Sequence, residues 1–176
     1  MKCSIKKFSE MYETVYRDLY RYALCLMKNP QEAEDAVSEA VIAAYENIHK
    51  LKKEEAFKSW IFTILTNKCK KRLKKALKEE PGREEELPEQ PVVPDYDLAM
   101  DVRKAFFVLS EEEQILVGLS VFGGYCSQEI GEMMRLNPNT VRSKRSRALK
   151  KMECVLGSYG EDEKEISYTD MVGTMM

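Results

Sequence analysis

The sequence predicts an all-α protein of two small helical domains joined by an acidic flexible linker, and three observations predict it. Apolar residues recur at three- and four-residue intervals in two separate blocks, and nowhere does period-two alternation last long enough for a sheet. Between the blocks, residues 79–95 read EEPGREEELPEQPVVPD, with four prolines, one glycine and seven acids. No helix or strand survives that spacing of prolines, so the stretch reads as an extended, largely disordered linker. Charge follows the same partition. Residues 1–78 carry 17 Lys/Arg against 10 Asp/Glu, residues 79–97 one against eight, residues 98–156 nine against seven, and residues 157–176 one against five. The formal net charge of −2 therefore conceals two basic blocks separated by an acidic one, a distribution suited to polyanion contact. The domains are accordingly drawn at 1–78 and 98–156, the linker at 79–97, and an acidic, disordered tail at 157–176.

In the first block, Phe8, Met11, Val15, Leu19, Tyr22 and Leu26 keep helical spacing and predict an amphipathic helix over residues 8–27. Asn29-Pro30 starts the next helix, with Asn as cap, Pro at the first helical position and Glu32 where a carboxylate suits the helix N-terminus. That helix runs to about Asn47, with Ala33, Ala36, Val37, Ala40, Val41 and Ala44 on one side, small enough for close packing. Glu34, Asp35, Ser38, Glu39, Ile42 and Tyr45 occupy the other sides, either as a docking surface or as an ordinary solvated face. HKLKKEEA, residues 49–56, is too polar to pack and is expected as a loop. A third helix begins near Phe57 with Trp60, Ile61, Ile64 and Leu65 inward, and ends in a run holding seven Lys/Arg from Lys68 through Lys78. Such a run beside Phe57, Trp60 and Phe62 suits a nucleic-acid backbone and a stacked, unpaired base. A core tryptophan and a helix end complementing its own dipole are the plainer alternative.

In the second block, Leu98, Val102, Ala105, Phe106 and Leu109 mark a helix, and Ser110-Glu111-Glu112-Glu113 is a capping-box pattern opening another, with Ile115, Leu116, Leu119 and Phe122 inward. Gly123-Gly124 breaks it. Residues 125–152, YCSQEIGEMMRLNPNTVRSKRSRALKKM, then read as two short helices around a tight turn. Ile130, Met133 and Met134 give the first an apolar face. Asn137-Pro138 starts the second, in which Val141, Ala148, Leu149, Met152 and Val155 form a stripe opposite Arg142, Ser143, Lys144, Ser146, Arg147, Lys150 and Lys151. This is the layout of a helix-turn-helix, whose second helix enters the major groove.

Other chemistries find little support. Five scattered cysteines with no CxxC pair make neither a disulfide framework nor a zinc site, and suit a reducing compartment. Lys2, Lys6 and Lys7 precede no apolar segment of signal-peptide type, and no apolar run approaches the roughly 18 residues of a membrane span. A cytoplasmic location is expected. The sole histidine, His49, lies in a loop, and no carboxylate cluster, Gly-rich phosphate loop or nucleophile–base pair suggests an enzyme or a cofactor.

From Phe8 to Met152 the chain resembles the bacterial RNA polymerase sigma factors of the extracytoplasmic-function class. The segments AEDAVSEAVIAAYENI and FKSWIFTILTNKCKKRLKK carry the resemblance in the first block, and LSEEEQILVGLSVFGGY, EIGEMM and NTVRSKRSRALKKM in the second. The resemblance implies a sigma region 2-type domain, then a region 4-type domain. Asp35, Ser38, Glu39 and Ile42 would dock on the beta-prime clamp helices of core RNA polymerase. Trp60, Asn67, Lys68, Lys71 and Arg72 would hold the melted minus-ten element. Asn139, Thr140, Arg142, Ser143, Lys144, Ser146, Arg147 and Lys150 would read the minus-thirty-five element of promoter DNA, with Arg142, Ser143 and Ser146 nearest base edges and Lys144, Arg147 and Lys150 nearest phosphates. The linker would thread the nascent-RNA path, and an anti-sigma factor is the expected regulator.

Several residues depart from the family pattern. Ser38 stands where Gln is usual, Cys126 where a capping Ser is expected, and Gly131 where a small Ala is expected. Arg135 replaces the turn Gly, and Arg145 takes a position usually apolar. The rival function is a conventional helix-turn-helix regulator that binds duplex DNA without the polymerase.

Overall fold

In the computed structural model the chain forms two compact units, Met1–Pro91 and Val92–Met176. The structure describes residues 4–79, 81 and 100–157. Apart from Glu79, Pro81 and Gly157, the expected linker and tail lie outside the described residues. Among those described, every regular element is helical.

The first unit packs three helices, each against the other two: α1 (Ile5–Met27), α2 (Pro30–Glu46) and α3 (Phe57–Glu79). α1 begins before Phe8 because Ser4 caps it, its side chain accepting from Lys7 N–H at 3.2 Å. Lys28 ends it in the left-handed conformation (φ 60°) with its N–H on Leu24 O, and Asn29 caps α2 by accepting from Glu32 N–H at 3.1 Å. Ala33, Ala36, Ala40 and Ala44 are buried, so α2 lies close against its neighbours. Tyr22 is buried between α1 and α3. Its hydroxyl donates to Thr66 Oγ1 at 2.9 Å, and Thr66 donates onward to Phe62 O at 2.8 Å, so the buried polar pair is satisfied.

Two expectations need correction here. The segment 49–56 does pack: it holds two 3-10 turns, Ile48–Lys50 and Glu54–Ala56, and buries Leu51 between them. One apolar side chain among polar ones suffices to anchor a short connection. Second, Phe57 and Phe62 do not offer stacking surfaces. The 3.6-residue period sends both into the core with Ile61 and Leu65, where Phe57 meets Phe8 edge-on at 5.6 Å.

The second unit comprises α4 (Met100–Phe107), α5 (Glu111–Val121), α6 (Ser127–Met134) and α7 (Pro138–Gly157), with the first three all packed on α7. Ser110 and Glu113 form the reciprocal capping box, Ser110 N–H to Glu113 at 2.9 Å and Glu113 N–H to Ser110 Oγ at 3.3 Å. Gln114, buried one residue later, donates to Phe106 O and Leu109 O at 3.3 and 3.2 Å and ties the α4–α5 turn. Ile115, Leu116, Leu119, Ile130, Val141, Ala148 and Met152 form the core.

Candidate nucleic-acid interface

The turn between α6 and α7 sets the geometry of the helix-turn-helix. Glu129 accepts the N–H of Cys126 at 2.8 Å, so the carboxylate half of a cap survives the loss of the usual serine. α6 ends at Arg135, which sits in the left-handed region (φ 57°, ψ 44°), and Leu136 N–H bonds Gly131 O at 2.9 Å. That six-to-one bond with a left-handed residue inside it is the longer bond of a Schellman closure, and the Arg135 N–H also reaches Gly131 O. It draws the backbone so close that a Cβ on residue 131 would stand 2.7 Å from Leu136 O. Gly131 is therefore tied to this turn, and the glycine usual at the next corner is absent at the expense of a strained Arg135.

Asn137 accepts from Asn139 N–H at 2.9 Å and launches α7 with Pro138 at its first position. Val141, Ala148 and Met152 face the core, which turns Asn139, Arg142, Ser143, Ser146, Arg147 and Lys150 to the exposed side. Thr140 and Lys144 lie on the flank, half-buried. Arg142 donates to Asn139 Oδ1 at 3.3 Å, so these two outward residues are linked. Lys144 is held by Glu112 at 2.5 Å and Lys151 by Glu113 at 2.7 Å, both across to the first turn of α5. Burial alone would raise the Glu113 carboxyl, but the Lys151 ammonium and the Ser110 N–H outweigh it and hold it below the usual carboxylate range. Arg145, at the normally apolar position, bends to Ser120 Oγ at 3.2 Å and is thereby accommodated.

In the first unit, Asp35, Ser38, Glu39 and Ile42 follow spacings of three and four and share one side of α2. Ile42 is 58% exposed and Tyr45, one turn on, 42%, so the face combines acids with uncovered apolar surface. On α3 the sequence-assigned residues divide. Trp60, Asn67 and Lys71 are spaced by seven and four and make one stripe, continued by exposed Lys74 and Lys78, which sequence reasoning left out although the same spacing reaches them. Trp60 is half-buried beside Phe57, ring centroids 6.3 Å apart. Lys68 and Arg72 point instead toward α2. Lys68 stands 3.9 Å from Glu39, and Arg72 donates to Glu32 at 2.5 Å and to Glu39. Burial would lower the Arg72 pKa, but hydrogen bonds to Glu39 and Glu32 raise it above its ordinary value. Cys69, buried three residues before Arg72, is pushed up to about 12 by burial, with partial relief from Arg72.

Among the described residues no group of three His, Cys, Asp or Glu side chains is arranged to hold a metal ion, and no helix is long and apolar enough to cross a membrane.

A helical module with a basic stripe, paired with a second helical module ending in a helix-turn-helix, defines a protein of DNA transactions. Comparison with known proteins makes this specific. Residues 11–79 match Sigma-70 region 2 and residues 100–152 match Sigma-70, region 4. The chain is 26% identical over 152 residues to the ECF RNA polymerase sigma factor SigM of Mycobacterium tuberculosis, covering 85% of this chain and 77% of that one. It is 28% identical over 141 residues to the RNA polymerase sigma factor SigV of Bacillus subtilis, covering 80% and 85%. The sigma factor RpoE of Bartonella quintana, solved in complex with the anti-sigma factor NepR, has the same fold: TM-score 0.77, 22% identity, 90% of this chain and all of that one. The chain belongs to the sigma-70 family of RNA polymerase sigma factors, in its extracytoplasmic-function class. It directs transcription initiation by RNA polymerase.

Proposed function

We propose that this sigma factor docks on the beta-prime clamp helices of core RNA polymerase through Asp35, Ser38, Glu39 and Ile42. In that assembly it holds the melted minus-ten strand on the Trp60–Asn67–Lys71 stripe and reads the minus-thirty-five element with the outward face of α7. The observation that carries this reading is the separation of surfaces: an acidic and apolar face on α2, a basic aromatic stripe on α3 and a basic polar face on α7. Apolar surface around Ile42 and Tyr45 suits a protein partner, whereas exposed cations on the same helix face as a half-exposed ring suit a polyanion and its bases. By likeness to the complexed Bartonella protein, an anti-sigma factor would restrain it by covering these faces. It acts in the cytoplasm, without a cofactor and not as an enzyme.

Run-off transcription with core RNA polymerase on fragmented DNA from the source organism tests the reading. Discrete transcripts that require the protein, and that vanish with Asp35→Ala/Ile42→Ala, are expected. Specific duplex binding by the protein alone, with no complex with core enzyme, would instead establish a conventional regulator.

A further inference from the structure

We infer that Arg72 is a positioning residue of the polymerase-docking face, setting Glu39 for its partner, and is not a contact for the DNA strand. The inference rests on the docking role proposed for α2 and adds to it a residue from another helix.

The guanidinium is committed at both of its terminal nitrogens. Nη1 donates to Glu32 at 2.5 Å and Nη2 to Glu39, the two carboxylates standing two turns apart on α2. Arg72 is only 23% exposed, and its Nε is buried with no hydrogen-bond partner among the described residues. A phosphate seeking this side chain must displace two carboxylates already in contact, and would then lie beside both of them. Like charges at that separation disfavour such a complex. Lys71, the adjacent residue, is exposed and has no ion pair among the described residues. A phosphate reaches this cation without that penalty.

The same contacts constrain Glu39. A glutamate on an exposed helix face samples many rotamers, and fixing it on binding costs side-chain entropy. Here Arg72 holds one carboxylate oxygen, leaving Glu39 45% exposed beside Ser38 and Ile42. Lys68, 3.9 Å from the other oxygen, adds to the restraint. The docking carboxylate is thus pre-ordered before the partner arrives, and binding loses less on ordering it. The ion pair also fastens α2 to the helix that carries the DNA stripe, so the two surfaces keep one relative position within this unit.

The test uses the full chain and core RNA polymerase from the source organism. Core affinity is measured by fluorescence titration for the wild type, Arg72→Ala, Glu39→Gln and the double variant. Holoenzyme binding to a single-stranded oligonucleotide carrying the non-template minus-ten sequence, taken from a promoter mapped by run-off, is measured against salt. Arg72→Ala should weaken core binding on the order of fivefold, with Glu39→Gln adding little in its presence, because residues acting through one contact are non-additive. Arg72→Lys, which keeps one ion pair, should recover part of the loss. The salt slope on the oligonucleotide should be unchanged by Arg72→Ala, whereas Lys71→Ala should lower it by about 0.7, the value for one single-strand phosphate contact. Normal core affinity with a lowered salt slope in Arg72→Ala would overturn the inference. So would strictly additive losses, the signature of a merely loosened α2–α3 contact. If Glu39→Gln and Asp35→Ala/Ile42→Ala both bind core normally, the docking reading fails and takes the inference with it.

Discussion

At single residues, the departures from the family pattern in the second unit resolve into specific contacts, at Cys126, Gly131, Arg135 and Arg145. Arg135 occupies a left-handed conformation that costs a non-glycine residue about 1–2 kcal/mol, yet the six-to-one bond that closes the turn around it is made. Arg135→Gly should accordingly raise the stability of the second unit by about 1 kcal/mol in urea unfolding. Gly131→Ala should do the reverse. Alanine is the better helix former by about 1 kcal/mol, but here its Cβ meets the Leu136 carbonyl at 2.7 Å, and backbone has nowhere cheap to move. A stabilised Gly131→Ala protein would show that the turn opens to admit the methyl. Cys126 is a milder change, since Glu129 still caps its N–H.

At the scale of one element, α7 is where the residues assigned to DNA separate by exposure. Arg142, Arg147 and Lys150 project outward, while Lys144 is drawn back to Glu112 across the unit. Arg142→Ala should cost about 1–3 kcal/mol at one position of the upstream element if its guanidinium meets a base edge. Its effect is read from holoenzyme affinity for promoter variants, and a uniform loss across all of them would make Arg142 a phosphate contact. Lys150→Ala should lower the salt slope of duplex binding by about 1. Lys144→Ala should lower it by less, because in the free protein that ammonium is already paired with Glu112. An equal fall in both variants would mean that Lys144 leaves Glu112 on binding DNA.

For the molecule as a whole, the second unit carries a pH-sensitive fastening. Glu113 caps α5 and pairs with Lys151 at the far end of α7, and these contacts depress its pKa below the ordinary 4.5. A depressed carboxylate stabilises the fold above its unfolded pKa, and that stabilisation disappears as pH falls through the folded value. Wild type should therefore exceed Glu113→Gln in stability at pH 7, with the gap closing below about pH 4.5. Urea midpoints of the two proteins between pH 7 and pH 3 provide the measurement, and a constant gap would exclude the linkage.

The sequence by itself determined the helices, their order and the family. Apolar spacing is a local property, and Asn29, Ser110 and Asn137 announce three helix starts through contacts two or three residues away. The shared faces of α2 and α7 followed from the same periodicity. Only the tertiary structure decided which cations meet a distant carboxylate. Arg72 meets Glu32 and Glu39 across separations of 40 and 33 residues, and Lys144 meets Glu112 across 32, distances over which no spacing rule operates. It also decided that Phe57 and Phe62 belong to the core while Trp60 stays half-exposed. Periodicity names a helix face, but packing against a partner helix determines how much of that face is covered.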